Sequence, residues 1–321
     1  MRKWWRFLVA LVFGLGLLNS PGWAQNTTVT AFDDGIPKYE LLVKEQAARQ
    51  DGTVWLELAT LYQDAARYQD AERAYSQAVE LLKTGDRTTL ANAMDGMGTM
   101  YAETGKYAKA EPLEREALAM REAWNDSVGV GRSWMHLAML SLGRRDLADA
   151  AKYAEMAADR LVPGRSGRET GNAATPEGVA TPEDKMTALI YLSLVRCVQG
   201  VCAAAIPDLK AAHSMAQANY GAGDFPVGFT NFLLGYAYWK SGDLRSAAEP
   251  MKSGTAGMEE QLGWGHPTYI SAMTQYEAFL RQTRRNAEAA EVKAKIARVR
   301  GSRRPVEVAH GETILDLIAS R

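Results

Sequence analysis

The chain has only two cysteines in 321 residues, Cys197 and Cys202. Two is too few for a disulfide-stapled scaffold. Close in sequence, they are a candidate for one local bridge in an oxidising compartment. Histidine is also scarce: His136, His213, His266 and His310 stand at no ligand-like spacing, so no metal and no cofactor is expected. No H-E-x-x-H, phosphate loop, G-x-S-x-G or strand-borne G-x-G-x-x-G occurs, and the reading is non-catalytic. Long apolar runs are missing except for one near the start. Charge of one sign is missing too, with 37 basic against 38 acidic side chains. That balance implies no general attraction to nucleic acid or to an anionic membrane.

The one apolar run, residues 7–18, follows Arg2, Lys3 and Arg6 and precedes a breaker segment with Pro21 and Gly22. It falls short of the ~20 residues that span a bilayer. The three-part layout is that of a secretory signal peptide over residues 1–24, with cleavage after Ala24 and small residues Gly22 and Ala24 at the site. The expectation is therefore an exported protein, periplasmic or extracellular, with no membrane span in the mature chain. Cleavage removes three basic residues and leaves 34 basic against 38 acidic side chains, a net charge of −4.

A period is what the chain does contain. Ala71, Ala110, Ala150, Ala205, Ala247 and Ala289 recur at intervals of 39, 40, 55, 42 and 42 residues. Around the first of them, Trp55, Leu58, Ala59 and Tyr62 mark one face of a helix. Ala71, Tyr75 and Ala78 repeat the rhythm on a second helix after a polar turn. Later copies place Met94, Met97, Gly98 and Tyr101; Trp134, Leu137 and Ala138; Leu189, Leu192 and Ser193; Leu234, Gly235 and Tyr238; and Met273, Tyr276 and Leu280. Such a hairpin cannot bury its stripes alone and must stack on neighbours.

The spacing W-x2-L-A-x2-Y-x8-A-x3-Y-x2-A resembles the tetratricopeptide repeat. The long period, the run from Tyr107 through Pro112 to Leu118 and the His266–Pro267 pair are similar to its kinesin-light-chain type. The resemblance implies an all-α, right-handed α-solenoid of about six hairpins over residues 51–300, with terminal capping helices. Residues 25–50 are read as an N-terminal segment with a capping helix from Pro37 to Gln50. Residues 301–321 form a C-terminal segment with a short helix at 314–318. The 55-residue interval holds a Gly-, Pro- and Thr-rich insertion, residues 163–184, read as a flexible loop.

In the tetratricopeptide pattern, five positions of each first helix face a concave groove. Repeats one and two place Thr53, Leu56, Thr60, Gln63 and Asp64, then Asn92, Asp95, Thr99, Ala102 and Glu103 there, a polar and mildly acidic half. Repeat three places Arg132, Met135, Met139 and Leu142 there. Repeat four adds Thr187, Ile190, Leu194, Cys197 and Val198, and repeat five adds Phe229, Phe232, Tyr236, Trp239 and Lys240. This second half is apolar, and a contiguous apolar patch on a soluble protein marks a contact surface. The expected partner is a protein or peptide segment, apolar or amphipathic, bound as a helix or an extended strand. Winding of the solenoid over the same patch, and self-association into a homo-oligomer, are the competing outcomes. The other-class alternative is an enzyme or enzyme accessory, which would need convergent titratable groups with shifted pKa values in a cleft. Nine basic residues between 281 and 304, against Glu288 and Glu291, are read as an ordinary solvated last hairpin.

Overall fold

The computed structural model describes residues 35–45, 50–65, 67–165, 179–262 and 266–301. The signal segment with Ala24, most of the insertion and the segment at 314–318 lie outside the described residues. Among the described residues the structure is all helical, with no strand. Helix α1 (Gly35–Leu42) precedes six hairpins. These are α2 (Gly52–Asp64) with α3 (Tyr68–Leu82), α4 (Arg87–Glu103) with α5 (Tyr107–Ala123), and α6 (Ser127–Gly143) with α7 (Leu147–Leu161). Then come α8 (Pro182–Val198) with α9 (Ile206–Asn219), α10 (Phe225–Lys240) with α11 (Leu244–Leu262), and α12 (Pro267–Gln282) with α13 (Asn286–Gly301). Each helix packs on the next, and each first helix also touches the first helix of the following hairpin. That side-by-side row of first helices forms the inner face of a solenoid.

The repeated alanines sit where each second helix, or in the fourth hairpin the 3-10 turn that leads into it, meets its partner. Ala71, Ala110, Ala150, Ala205 and Ala247 are fully buried, and Ala289 is 3% exposed. A larger side chain there would push the two helices apart.

The turns inside the hairpins share one geometry. The amides of Arg67, Lys106, Asp146, Val201, Asp243 and Arg285 donate to the carbonyls of Tyr62, Tyr101, Ser141, Arg196, Tyr238 and Leu280, all at 2.8–2.9 Å. In the last five turns the preceding residue is left-handed: Gly105, Arg145, Gly200, Gly242 and Arg284, with φ from 60° to 91°. This Schellman closure satisfies the last carbonyls of each first helix. Glycine adopts it freely; Arg145 and Arg284 do so against a steric cost.

Two local expectations need correction. The N-terminal cap is shorter and earlier than Pro37–Gln50: α1 ends at Leu42, where the Lys44 and Glu45 amides close tight turns onto Leu41 and Leu42. Residues 182–184 are not loop but open α8. There the Thr181 hydroxyl accepts from the Asp184 amide at 3.1 Å, and Asp184 Oδ2 accepts from the Thr181 amide at 2.9 Å. This reciprocal capping box, with Pro182 behind it, satisfies two helix-end donors at once. In the fourth hairpin, Cys202–Ala205 forms a 3-10 turn before α9 begins, with Pro207 in the first turn of that helix. Cys197 and Cys202 are bonded across the hairpin turn, Cα atoms 4.3 Å apart.

Candidate binding groove

A groove of about 480 Å³ lies on the inner face between α2, α4, α6 and α8. Its walls carry Leu56, Thr60, Gln63 and Asp64 from α2, then Asn92, Asp95 and Thr99 from α4. Arg132, Met135 and Met139 follow from α6 and Thr187 from α8. All of these are positions that the repeat register assigns to the concave face. Tyr75 and Arg121, from second helices, reach the same groove. Both orient groove amides: Tyr75 Oη donates to Gln63 Oε1 at 2.6 Å, and Arg121 Nη2 donates to Asn92 Oδ1 at 2.8 Å. With its oxygen held, the exposed Asn92 side chain turns its NH2 donors away from Arg121.

The apolar half of the inner face is not an open surface. Ile190, Phe229 and Phe232 are fully buried, and Tyr236, Leu194 and Trp239 are 1%, 2% and 8% exposed. The reason is winding: α8, α10 and α12 lie side by side, so their inner-face side chains pack on one another. Phe225 stacks on Phe229 with ring centroids 5.2 Å apart, and Trp239 meets Phe279 edge-on at 6.0 Å. Trp239 Nε1 also donates to Gln282 Oε1 at 2.7 Å, which satisfies its one polar atom. These side chains are core. Of the ten groove residues expected from the sequence, Asn92, Asp95, Met135 and Met139 line the groove, and Ile190, Leu194, Phe229, Phe232, Tyr236 and Trp239 do not.

Beneath the groove lies a buried ionic cluster that the sequence reading missed. Asp95, Glu114 and Arg121 are 5%, 2% and 2% exposed. Arg121 Nη1 sits 2.5 Å from Asp95 Oδ2 and donates to Ser133 Oγ at 2.6 Å. His136 Nδ1 lies 3.1 Å from Glu114 Oε2 and 3.7 Å from Asp95 Oδ1. Burial raises the Asp95 carboxyl, but Arg121 and His136 outweigh it and hold it below its ordinary range. Burial dominates at Glu114 and raises it, against the pull of His136. Burial lowers His136, yet Glu114 and Asp95 together raise it well above an ordinary imidazole.

A signal for this cluster was present in the repeat itself. Tyr75 and Leu82 follow Ala71 by four and eleven residues on α3; at the matching places after Ala110, α5 has Glu114 and Arg121. Two charges at core positions of one copy, facing Gly98, are the departure that mattered.

Two further polar contacts shape the groove. Arg132 forks onto Asp184, with Nε–Oδ1 at 2.8 Å and Nη2–Oδ2 at 2.9 Å, tying the third hairpin to the fourth across the insertion. Glu103, buried between Gln63 and Asp64, is pushed up to about 8, mainly by desolvation and further by the Asp64 charge. The convergence of shifted groups is what an enzyme would need. Here, however, the ionised groups close on each other: Asp95 is held by Arg121, and His136 keeps its proton beside Glu114. In the basic last hairpin, Arg285 pairs with Glu288 and Lys295 with Glu259, at 2.5 and 2.6 Å. His266 is the N-cap of α12, with Nδ1 accepting from the Thr268 amide at 3.2 Å. No helix of the described residues is long and apolar enough to cross a membrane.

A stack of antiparallel helical hairpins with a groove along its inner face defines an α-solenoid. Residues 50–123 match the tetratricopeptide-repeat family model. The same hairpin geometry continues to Gly301, so the fold is a solenoid of tetratricopeptide-type hairpins. No protein of curated function matches the sequence. Among solved structures, BtubC (BKLC) from P. vanneervenii is similar at 16% identity and TM-score 0.52, over 71% of this chain and 89% of that one. Aspartyl phosphate phosphatase F from Bacillus subtilis is similar at 16% identity and TM-score 0.59, over 87% of this chain and 68% of that one. A Rap protein complexed with competence and sporulation factor is similar at 12% identity and TM-score 0.58, over 85% of this chain and 71% of that one. At these identities the likeness concerns the fold.

Proposed function

We propose that this protein is an exported, non-catalytic scaffold that holds a segment of a partner protein in the groove between α2, α4, α6 and α8. The observation that carries the reading is the composition of that groove. The half-buried Leu56 offers apolar area and Thr60 and Thr99 offer hydroxyls, while the oriented amide of Asn92 offers donors for a backbone carbonyl. An extended or helical peptide with alternating apolar and polar groups suits such a lining, in the manner of groove recognition. A similar solenoid is named in complex with competence and sporulation factor, which supports occupation of such folds by a ligand.

Export is supported by the basic–apolar–breaker layout of residues 1–24 and by the Cys197–Cys202 bond, a feature of oxidising compartments. Intact mass of the exported form tests this part, with a chain starting at Gln25 as the expected result.

The groove is tested by placing a photo-crosslinking residue at Thr60 or Thr99, inside it, and at Glu116, exposed on α5. The reading expects the same partner peptide captured from both groove positions and not from position 116. Capture from position 116 alone would reject it.

A further inference from the structure

We propose that Asp95, Glu114 and His136 form a binding site for one divalent transition-metal ion of the zinc class. The three side chains come from three successive helices, α4, α5 and α6, and their ligating atoms all lie within 4.8 Å of one another. His136 Nδ1 is 3.1 Å from Glu114 Oε2 and 3.7 Å from Asp95 Oδ1. A tetrahedral zinc ion with bonds of about 2.0–2.2 Å holds its ligand atoms roughly 3.3–3.6 Å apart. The two separations bracket that spacing, and the third, Asp95 to Glu114, is within 4.8 Å, so an ion fits once the two carboxylates draw together around it.

A second observation points the same way. Asp95 Oδ1 is buried and accepts no hydrogen bond. Its sister oxygen, Oδ2, is engaged by Arg121. Buried acceptors are seldom left without a hydrogen bond, and this one faces the His136 Nδ1 atom, 3.7 Å away. Arg121 takes the role of an outer partner that fixes a ligating carboxylate in orientation. Gly98 supplies the room: a Cβ there would collide with Glu114 Oε1.

The donor set selects the ion. One imidazole and two carboxylates suit zinc and its first-row neighbours, whereas calcium takes six to eight oxygen ligands. Three protein ligands leave one position open. Asp95 and His136 line the groove and Glu114 does not, so the open position faces the groove. Binding replaces the proton on His136 Nδ1 with the ion, and that proton leaves to solvent. The site does not depend on the partner reading, because the ion alone is the ligand.

The test titrates the metal-stripped protein with Zn2+ by calorimetry in buffers of different ionisation enthalpy, and with Co2+ by visible absorption. Expected are one ion per chain and the intense cobalt band of a four-coordinate site. His136→Gln and Glu114→Gln should each weaken binding by more than about tenfold. Absence of saturable binding, or affinity unchanged in both variants, would overturn the proposal. Should the variants fail to fold, the wild-type readings decide: no saturable zinc binding or no cobalt band would overturn it equally.

Discussion

The first four hairpins and the last two place the same first-helix positions on the inner face and use them in opposite ways. Along α2, α4 and α6 those positions carry Thr60, Gln63, Asn92, Thr99 and Arg132 and border an open groove. Along α10 they carry Phe229, Phe232, Tyr236 and Trp239, all buried against neighbouring helices. An excess of apolar residues on a repeat helix is therefore not by itself a docking face. In a wound solenoid, the inner face belongs to the core wherever neighbouring first helices approach closely enough to cover it. Polar lining keeps the groove open because amides and hydroxyls stay hydrated at little cost, whereas exposed aromatics do not.

The contrast breaks most sharply at Phe232. Phe232→Glu places a carboxylate in a fully buried aromatic site, a cost on the order of 5 kcal/mol or more and comparable with the stability of a whole domain. Circular dichroism and urea melts should find the chain unfolded or its C-terminal hairpins molten; a folded, monomeric Phe232→Glu would restore the idea of an exposed apolar face.

Next in size is Arg121→Ala, which strands the buried Asp95 carboxylate beneath the polar groove. Loss of one partner of a buried pair costs about 3–5 kcal/mol. A urea midpoint close to wild type would mean that the cluster is hydrated and weak.

Glu103 sharpens the comparison through pH. Its folded pKa of about 8 lies above the ordinary 4.5, so the folded state binds more protons than the unfolded state between those values. Its contribution to stability is full below pH 4.5 and is lost as pH rises toward 8, with a slope of at most about 1.4 kcal/mol per pH unit. Glu103→Gln should flatten the stability profile across that window relative to wild type, measured by denaturant midpoints at successive pH values. Parallel profiles for the two proteins would place Glu103 in water.

The smallest effect is expected at the turns. Arg145→Gly and Arg284→Gly relieve left-handed arginines at φ 60° and should each stabilise by about 0.5 kcal/mol, the steric gain being partly offset by glycine's larger unfolded-state entropy. Destabilisation on thermal melting would show that these arginine side chains contribute more than their backbone costs.

The architecture was largely legible in the sequence because it rests on local, repeated signals. Alanines at a near-fixed period, an apolar face at helical spacing and the turn glycines Gly105, Gly200 and Gly242 each state the hairpin independently. The register of the groove positions was legible for the same reason, as Leu56, Thr60, Asn92, Asp95 and Thr99 attest. What could not be read was which of those positions the winding would cover, since that depends on contacts between helices some forty residues apart. Phe232 and Trp239 illustrate the loss. The ionic cluster was hidden differently: Asp95, Glu114 and His136 are distant in sequence, and a search by ligand spacing is blind to residues brought together by stacking. The substitution of Glu114 and Arg121 for the tyrosine and leucine of the first copy was the available clue. Likewise Thr181-Pro-Glu-Asp184 spelled a helix start inside a segment judged by its composition.

The central claim is that the polar groove of the first four hairpins, and not the aromatic stretch of α10, receives the partner. The measurement that tests it most directly is the affinity of the crosslinked partner peptide for Asn92→Ala and Thr99→Trp, beside Glu116→Ala on the outer surface. The account predicts a weakening of roughly tenfold or more for both groove variants, about 1.4 kcal/mol, and no change for Glu116→Ala. Unaltered affinity in both groove variants, with helicity and melting preserved, would contradict it.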